Sequence, residues 1–421
     1  MRSLSAAVMV TLALALGVAG CSGGDPVAET EGTDTTPGNC SGGCGSSTTS
    51  LTVTDVERVL AQGIGEAQAR GVSATLAVVD RVGNVLAVYR MGAPAARTVT
   101  ITTQAAVSGG LENIRLPVAP APVNIDHVAA IAKAITGAYL SSEGNAFSSR
   151  TASQIVQDHF NPGEEFQPAG PLFGVQFSQL ACSDLMRRFD GVGTSVGPHR
   201  SPLGLSADPG GFPLYKNGTV VGGVGVLADG FYSIDRDISD TDTDVDEAIA
   251  YAATFGFAAP IDRRGDRITA DGKTLRFSDV EFEQLPSNPG SAAGFLTLAV
   301  PTGMLTAVPG YFDGVIRAGT AFGQPASGVR ADGDVDYPGR DAFVLVDAAN
   351  VLRYPPRAGT DGAVVGGAVL TQNEVRVILQ SALDIANRAR AQIRRPLGSQ
   401  ARVTISVVDT QGEILGLART R

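Results

Sequence analysis

The feature that most constrains this chain is that it repeats itself. Leu51-Thr52 opens a stretch in which Val53, Val56, Leu60, Ile64 and Ala67 recur at helical spacing, and Gly71 ends it. Leu76-Ala77-Val78-Val79-Asp80 follows, then Gly83 and Arg90. Leu370-Thr371 opens a second such stretch, and Ile405-Ser406-Val407-Val408-Asp409, Gly412 and Arg419 follow it. The spacing Val-Val-Asp-x-x-Gly-x-apolar-x-x-x-x-Arg is the same in both copies. A helical period followed by two apolar runs around a Gly-containing turn predicts a helix and a β-hairpin, here duplicated. The second copy carries ten more residues ahead of its strand.

The rest of the chain extends the first copy. Asp126 reads as the cap of a helix carrying Val128, Ile131, Ala132, Ile135 and Tyr139, and a second helix is expected near Thr151–Asp158. Phe212–Lys216 and Thr219–Val226 flank Asn217-Gly218, the strongest short hairpin signal. Asp244, with Glu247 three residues on, caps a helix running to Phe255. Helix, hairpin, helices, hairpin, helix is an α+β layer order. Residues 261–345 are punctuated by Gly and Pro. Ile268–Asp271, Leu275–Phe277 and Phe295–Val300 read there as short strands of a β-rich insertion.

At this point the sequence resembles the GlcG/HbpS-type haem-binding proteins, also named for haem degradation. The elements carrying the resemblance are the Val-Val-Asp-x-x-Gly hairpin of residues 51–90, Ile131-Ala132-Lys133-Ala134, Pro209-Gly210-Gly211-Phe212-Pro213-Leu214, Val221-Gly222-Gly223-Val224-Gly225-Val226 and Asp246-Glu247-Ala248-Ile249-Ala250. Ser148-Ser149-Arg150-Thr151 and His159-Phe160-Asn161-Pro162-Gly163 resemble a longer exported branch. The likeness covers about 51–260 and again 370–421. It implies an antiparallel sheet of about five strands flanked by helices, PAS/profilin-like, with a β-rich insertion and a partial second copy. The domain plan is then a signal at 1–21, a linker at 22–50, a GlcG/HbpS-like domain at 51–260, a connecting segment at 261–369 and an incomplete second unit at 370–421. The loops at 92–125 and 161–208 exceed the compact family core. A hairpin and helix alone are marginal in water. The second copy therefore reads as truncated, with a poorly packed, exposed outer strand.

The N-terminus reads as an export signal. Arg2 precedes an uncharged run of Ala, Leu and Val from Ala6 to Gly20. That run is shorter than the roughly 20 apolar residues a membrane span needs. Val18-Ala19-Gly20-Cys21 resembles a lipobox, so Cys21 is the expected lipidation site and the chain is expected in the cell envelope. Membrane contact is expected only through that anchor. Ser22–Ser50 is polar and Gly/Ser-rich, a flexible tether. Cys40 and Cys44 could pair in an oxidising compartment, and Cys182 reads as a small buried hydrophobe. The net charge is −10 with no Lys/Arg-rich run, which argues against nucleic acid.

Candidate chemistry is sparse. The three histidines are His127, His159 and His199. Imidazole is the usual protein ligand to haem iron. His127 reads as a surface or capping residue; His159 and His199 are the haem-binding candidates, His159 also as the metal ligand. Arg150 and Arg200 are candidates for pairing haem propionates, because guanidinium grips carboxylate bidentately. Asp80 and Asp409 read as turn caps. Lys133 reads as a snorkelling side chain or a contact for a ligand carboxylate. The acidic run Asp235, Asp237, Asp240, Asp242, Asp244, Asp246 and Glu247 lacks EF-hand spacing and reads as a solvated loop. Gly222, Gly223 and Gly225 lie in a strand, where they permit close backbone approach. No nucleophile–base pair or zinc spacing stands out. Three functions follow: haem or tetrapyrrole capture, storage or sensing; a haem-degrading or other small-metabolite enzyme; and a non-catalytic assembly module. A homo-oligomer is a further expectation.

Overall fold

The computed structural model describes residues 49–92, 99–102, 114–116, 124–157, 160, 169–176, 201, 203–235, 237–390 and 400–420. The signal, Cys21, Cys40, Cys44, Cys182, His159, His199 and Arg200 lie outside them. No helix among the described residues is long and apolar enough to cross a membrane.

Helix α1 (Val53–Ala69) starts on a capping box: Thr52 Oγ1 accepts from Asp55 N at 3.1 Å and Asp55 Oδ2 accepts from Thr52 N at 2.7 Å. Strands β1 (Thr75–Asp80) and β2 (Val85–Met91) form the expected hairpin. Short β3 (Val99–Thr102) and β4 (Ile114–Leu116) follow, then α2 (Ile125–Tyr139) and α3 (Ser149–Ile155). The cap of α2 is Asn124 rather than Asp126. Asp126 sits in the first turn, where its carboxylate is taken by Arg90. Strands β5 (Gly211–Lys216) and β6 (Thr219–Leu227) turn at Asn217 and Gly218, with φ of 51° and 69°. Both positive angles suit the twist of a two-residue hairpin. After β7 (Phe231–Ser233), α4 (Val245–Ala253) begins at Asp244, which accepts from Glu247 N.

The connecting segment holds β8 (Thr269–Ala270), β9 (Lys273–Thr274), α5 (Phe295–Thr302), β10 (Gly303–Leu305), β11 (Val329–Ala331) and β12 (Phe343–Leu345). Phe295–Val300, expected as a strand, is helical. A short apolar run fits either form; here Phe295 and Ala299, one turn apart, are its buried residues and the helix packs on α1. Leu275–Phe277 is not a strand either. The chain ends in α6 (Gln372–Arg388), β13 (Thr404–Val408) and β14 (Ile414–Arg419).

The main sheet has five antiparallel strands in the order β10-β2-β1-β6-β5. Helices α1 and α4 pack together on one side. Helix α2 lies across β6, β1 and β5 on the other. Its approach explains two glycines: a Cβ on Gly223 or Gly225 would collide with the carbonyl oxygens of Ala134 and Ala130. This is the α+β architecture the resemblance implied.

The second copy forms its own four-stranded sheet, β11-β12-β14-β13. Its hairpin repeats the first in detail. The register shifts between Val78 and Val79 in β1 and between Val407 and Val408 in β13. Gly83 and Gly412 take φ of 83° and 86° in the two turns. The segment 261–369 is divided between the sheets and carries a further repeat. In Arg317-Ala318-Gly319-Thr320, Arg317 N donates to Leu86 O and Gly319 N to Leu51 O. In Arg357-Ala358-Gly359-Thr360, Arg357 N donates to Leu415 O and Gly359 N to Leu370 O. Thr320 N and Thr360 N then reach Asp80 and Asp409. Each hairpin thus keeps an edge segment ending in the same four residues. The second core is small: Val344, Val346, Val375, Leu379, Leu383 and Leu415 are its main aliphatic members. Its outer strand β13 alternates exposed and half-buried residues.

Candidate functional site

Three charged constellations distinguish the described residues, and two of them are closed by the chain itself. Lys133, on α2, is fully buried. Its Nζ lies 2.5 Å from Asp208 and 2.6 Å from Asp246. It neither snorkels nor waits for a ligand. A buried ammonium is tolerated because carboxylates surround it. Asp246 also accepts from the backbone of Ala228 and Asp229. Burial pushes its carboxyl up to about 7 against the pull of Lys133.

Arg150 is the second centre. It is 1% exposed, and its guanidinium meets Glu247 at 2.8 Å, Asp235 at 2.8 Å, Asp242 at 3.0 Å and Asp279 at 3.2 Å. The acidic run is therefore not simply a solvated loop: much of it wraps this arginine. Burial raises Asp235 to about 6 and Glu247 to about 7, with Arg150 opposing both shifts. Carboxylate oxygens of Asp235, Asp240 and Asp242 gather within 4.8 Å of one another. The neighbouring guanidinium already supplies the balancing charge. Arg150 spends its Nε and Nη1 on these internal acids.

The third constellation is open. A cavity of about 720 Å³ lies between the end of α2, the loop after it, and the second sheet. Arg81, Arg353, Arg402 and Arg419 line it, with no acidic residue among the lining side chains. Arg81 and Arg402 both reach the buried Glu143; Arg81 Nη1 lies 2.5 Å from Oε1. Burial would raise the Glu143 carboxyl, but the two guanidinium groups outweigh it and hold it below its ordinary value. Arg419 is different. Its Nε is buried without a hydrogen-bond partner, and it forms no ion pair among the described residues. Burial, with the charges of Arg81 and Arg402, holds its guanidinium below its ordinary value.

The cavity has an aromatic wall. Phe322 stacks on Phe343 with ring centroids 5.9 Å apart and planes 19° from parallel. Arg81 lies 4.4 Å and Arg419 5.2 Å from the Phe322 centroid. Tyr139, 44% exposed, also lines the space and donates its hydroxyl to Val82 O at 2.8 Å. Cationic forks around flat rings can hold an anion with an aromatic body.

Of the residues singled out from sequence, Arg150 is far from idle but serves an internal network. His159, His199 and Arg200 lie outside the described residues. His127 is buried beside Asp126 rather than on the surface, with Nε2 3.8 Å from Oδ2. The cavity residues were missed because they come from stretches far apart in the chain, from Arg81 and Tyr139 to Phe322, Arg353, Arg402 and Arg419. One signal was available: Arg419 closes the repeated spacing.

No family model matches this chain, and no curated protein does. Solved structures similar to about half of it include the Klebsiella pneumoniae protein ORFY, of the family model DUF336. That match has 19% identity and a TM-score of 0.27, and covers 49% of this chain and 90% of that one. A PduOC:haem complex matches at 16% identity and TM-score 0.26, covering 50% of this chain and 96% of the other. A double mutant of Streptomyces reticuli HbpS matches at 17% identity and TM-score 0.23, covering 49% and 87%.

Proposed function

We propose that this chain is a cell-envelope lipoprotein that binds haem or a related tetrapyrrole for capture, storage or sensing, with the arginine-lined cavity as its seat. The observation that carries the proposal is four arginines and Phe322, itself backed by the buried Phe343 ring, around a cavity without a lining acid. A tetrapyrrole of this class is a flat apolar ring bearing carboxylates. Its ring matches the phenyl wall, and its carboxylates match the guanidinium forks. The unpartnered Nε of Arg419 fits such a group, because a buried cation without a counter-charge is costly. Tyr139 offers a phenolic oxygen at the cavity, and tyrosine is one of the side chains that ligate haem iron. His159 and His199 are the imidazole candidates. When bound, haem would supply redox or sensing chemistry; the chain's own residues orient its acids and cover its face. The likenesses to solved structures, with TM-scores from 0.23 to 0.27, carry none of this.

Haem titration of residues 51–421, followed in the Soret band, tests the proposal. Saturation near one haem per chain is expected, with a shifted spectrum in one of Tyr139→Phe, His159→Ala or His199→Ala. A spectrum that stays that of free haem would sink the proposal and favour an assembly module. Loss of the Soret band with a reductant would favour the enzyme instead. Separately, Cys21→Ala should move the chain from the membrane fraction to the soluble one.

A further inference from the structure

The two hairpins place an arginine at the same point. Arg90 of β2 lies opposite Thr75 of β1, and Arg419 of β14 lies opposite Thr404 of β13. In the first unit Asp126 of α2 stands over this pair. Its Oδ2 accepts from Arg90 Nε at 3.0 Å and from Thr75 Oγ1 at 2.8 Å. In the second unit, among the described residues, no helix covers this face of the sheet. The cavity lies there instead. Among the described residues Arg419 meets no carboxylate, its Nε is buried and unpartnered, and Phe322 lies under its plane. The fold therefore holds the same cation twice, once answered by an internal acid and once not.

From this juxtaposition we propose that Arg419 is the anchor of a carboxylate-binding subsite. A small organic acid with a flat apolar body sets its carboxylate against Arg419, where Asp126 stands against Arg90. Its body lies along Phe322, which the buried Phe343 backs. Arg81 and Arg402 add positive field while remaining tied to Glu143. This deepens the reading of the cavity given above, but needs neither iron nor a tetrapyrrole ring. It also gives the ligand a structural role: it neutralises charge at the seam where the second unit meets the first.

Benzoate is the probe. The full chain is titrated in chloride-free buffer by calorimetry and by thermal denaturation, with benzamide and inorganic phosphate in parallel. Benzoate is expected to bind saturably and to raise the melting temperature, while benzamide does neither. Arg419→Met should weaken benzoate by at least about tenfold, the loss of one charge-assisted pair. Arg419→Lys should weaken it less, since it keeps the charge but loses the fork. Equal binding of benzoate and benzamide would overturn the subsite, as would phosphate binding without benzoate. So would undiminished benzoate binding in both variants. If Arg419→Met fails to fold, Arg419→Lys and the benzamide comparison still decide. Benzoate binding without haem binding would leave the subsite standing and remove the tetrapyrrole. Haem binding that ignores Arg419, with no benzoate binding, would do the reverse.

Discussion

The two copies of the helix–hairpin unit share nearly all their local structure, and the inner face of the helix in each is buried, but they differ in how far the rest is covered. Each has the same capped helix start, the same bulge, the same glycine turn and the same Arg-Ala-Gly-Thr segment at its edge. Yet every residue of β1 is buried, whereas β13 is largely open. Val59 of α1 is 0% exposed, and Ile378, its counterpart on α6, is 43% exposed. The difference lies in what surrounds each unit. The first is covered by α2, α4, β5 and β6; the second packs mainly on its own edge segments. Hydrogen bonding within a hairpin is settled locally, but burial is supplied by neighbours, and neighbours decide what a polar side chain can do. Arg90 beneath α2 is an internal ion pair. Arg419 without such a helix faces a cavity.

The largest expected contrast follows from that pair. Arg90→Met should destabilise the first unit by about 3–5 kcal/mol, because Asp126 is left buried with its counter-charge gone. Arg419→Met, measured by denaturant unfolding without ligand, should be neutral or stabilising. Equal costs at the two positions would break the comparison.

A smaller contrast concerns packing. Val59→Ala should cost about 2 kcal/mol from lost burial and the cavity left behind. Ile378→Ala should stay within about 0.5 kcal/mol, as for other exposed positions. A large loss at Ile378 would reveal a covering partner, which a concentration-dependent molecular mass would identify as a second copy.

The acid networks give a third contrast. Asp235, Asp246 and Glu247, at about 6, 7 and 7, bind protons more tightly folded than unfolded. Their contribution is complete below the ordinary carboxylate range and is lost as pH rises through those values. The first unit should therefore melt at a lower temperature at pH 8 than at pH 5. Hydrogen exchange, read separately in each unit, should show little of this loss in the second. A first unit that gained stability over the same window would refute the assignment.

The smallest effect sits in the turns. Burial pushes the Asp80 carboxyl up despite its bonds to Asn84, Thr320 and Val82. Burial also acts on Asp409, but Thr360 bonds it through both backbone and hydroxyl, and the sum is downward. Carboxyl NMR titration should place Asp80 above its ordinary value and Asp409 below it. Thr360→Val should move Asp409 up.

What the amino-acid sequence settled unaided is local and periodic. The helix starts at Leu51-Thr52 and Leu370-Thr371, the Asn217-Gly218 turn and the shared hairpin spacing depend on residues within a few positions of one another. Four strands of the main sheet could be anticipated because their signals came in a known order, and the resemblance implied about five; the edge strand β10 carried no signal of its own. Tertiary structure decided the rest. Lys133 and Asp208, Arg150 and Asp279, and Glu143 and Arg402 are far apart in the chain, so no spacing rule joins them. Phe295–Val300 became a helix because α1 offered its face a place to pack. The repeated Arg-Ala-Gly-Thr segments were visible as letters, but only the folded chain ties each to its hairpin. An isolated cation in sequence is merely a charge; whether it is a structural pair or a binding group depends on which carboxylate the fold brings, or fails to bring, within reach.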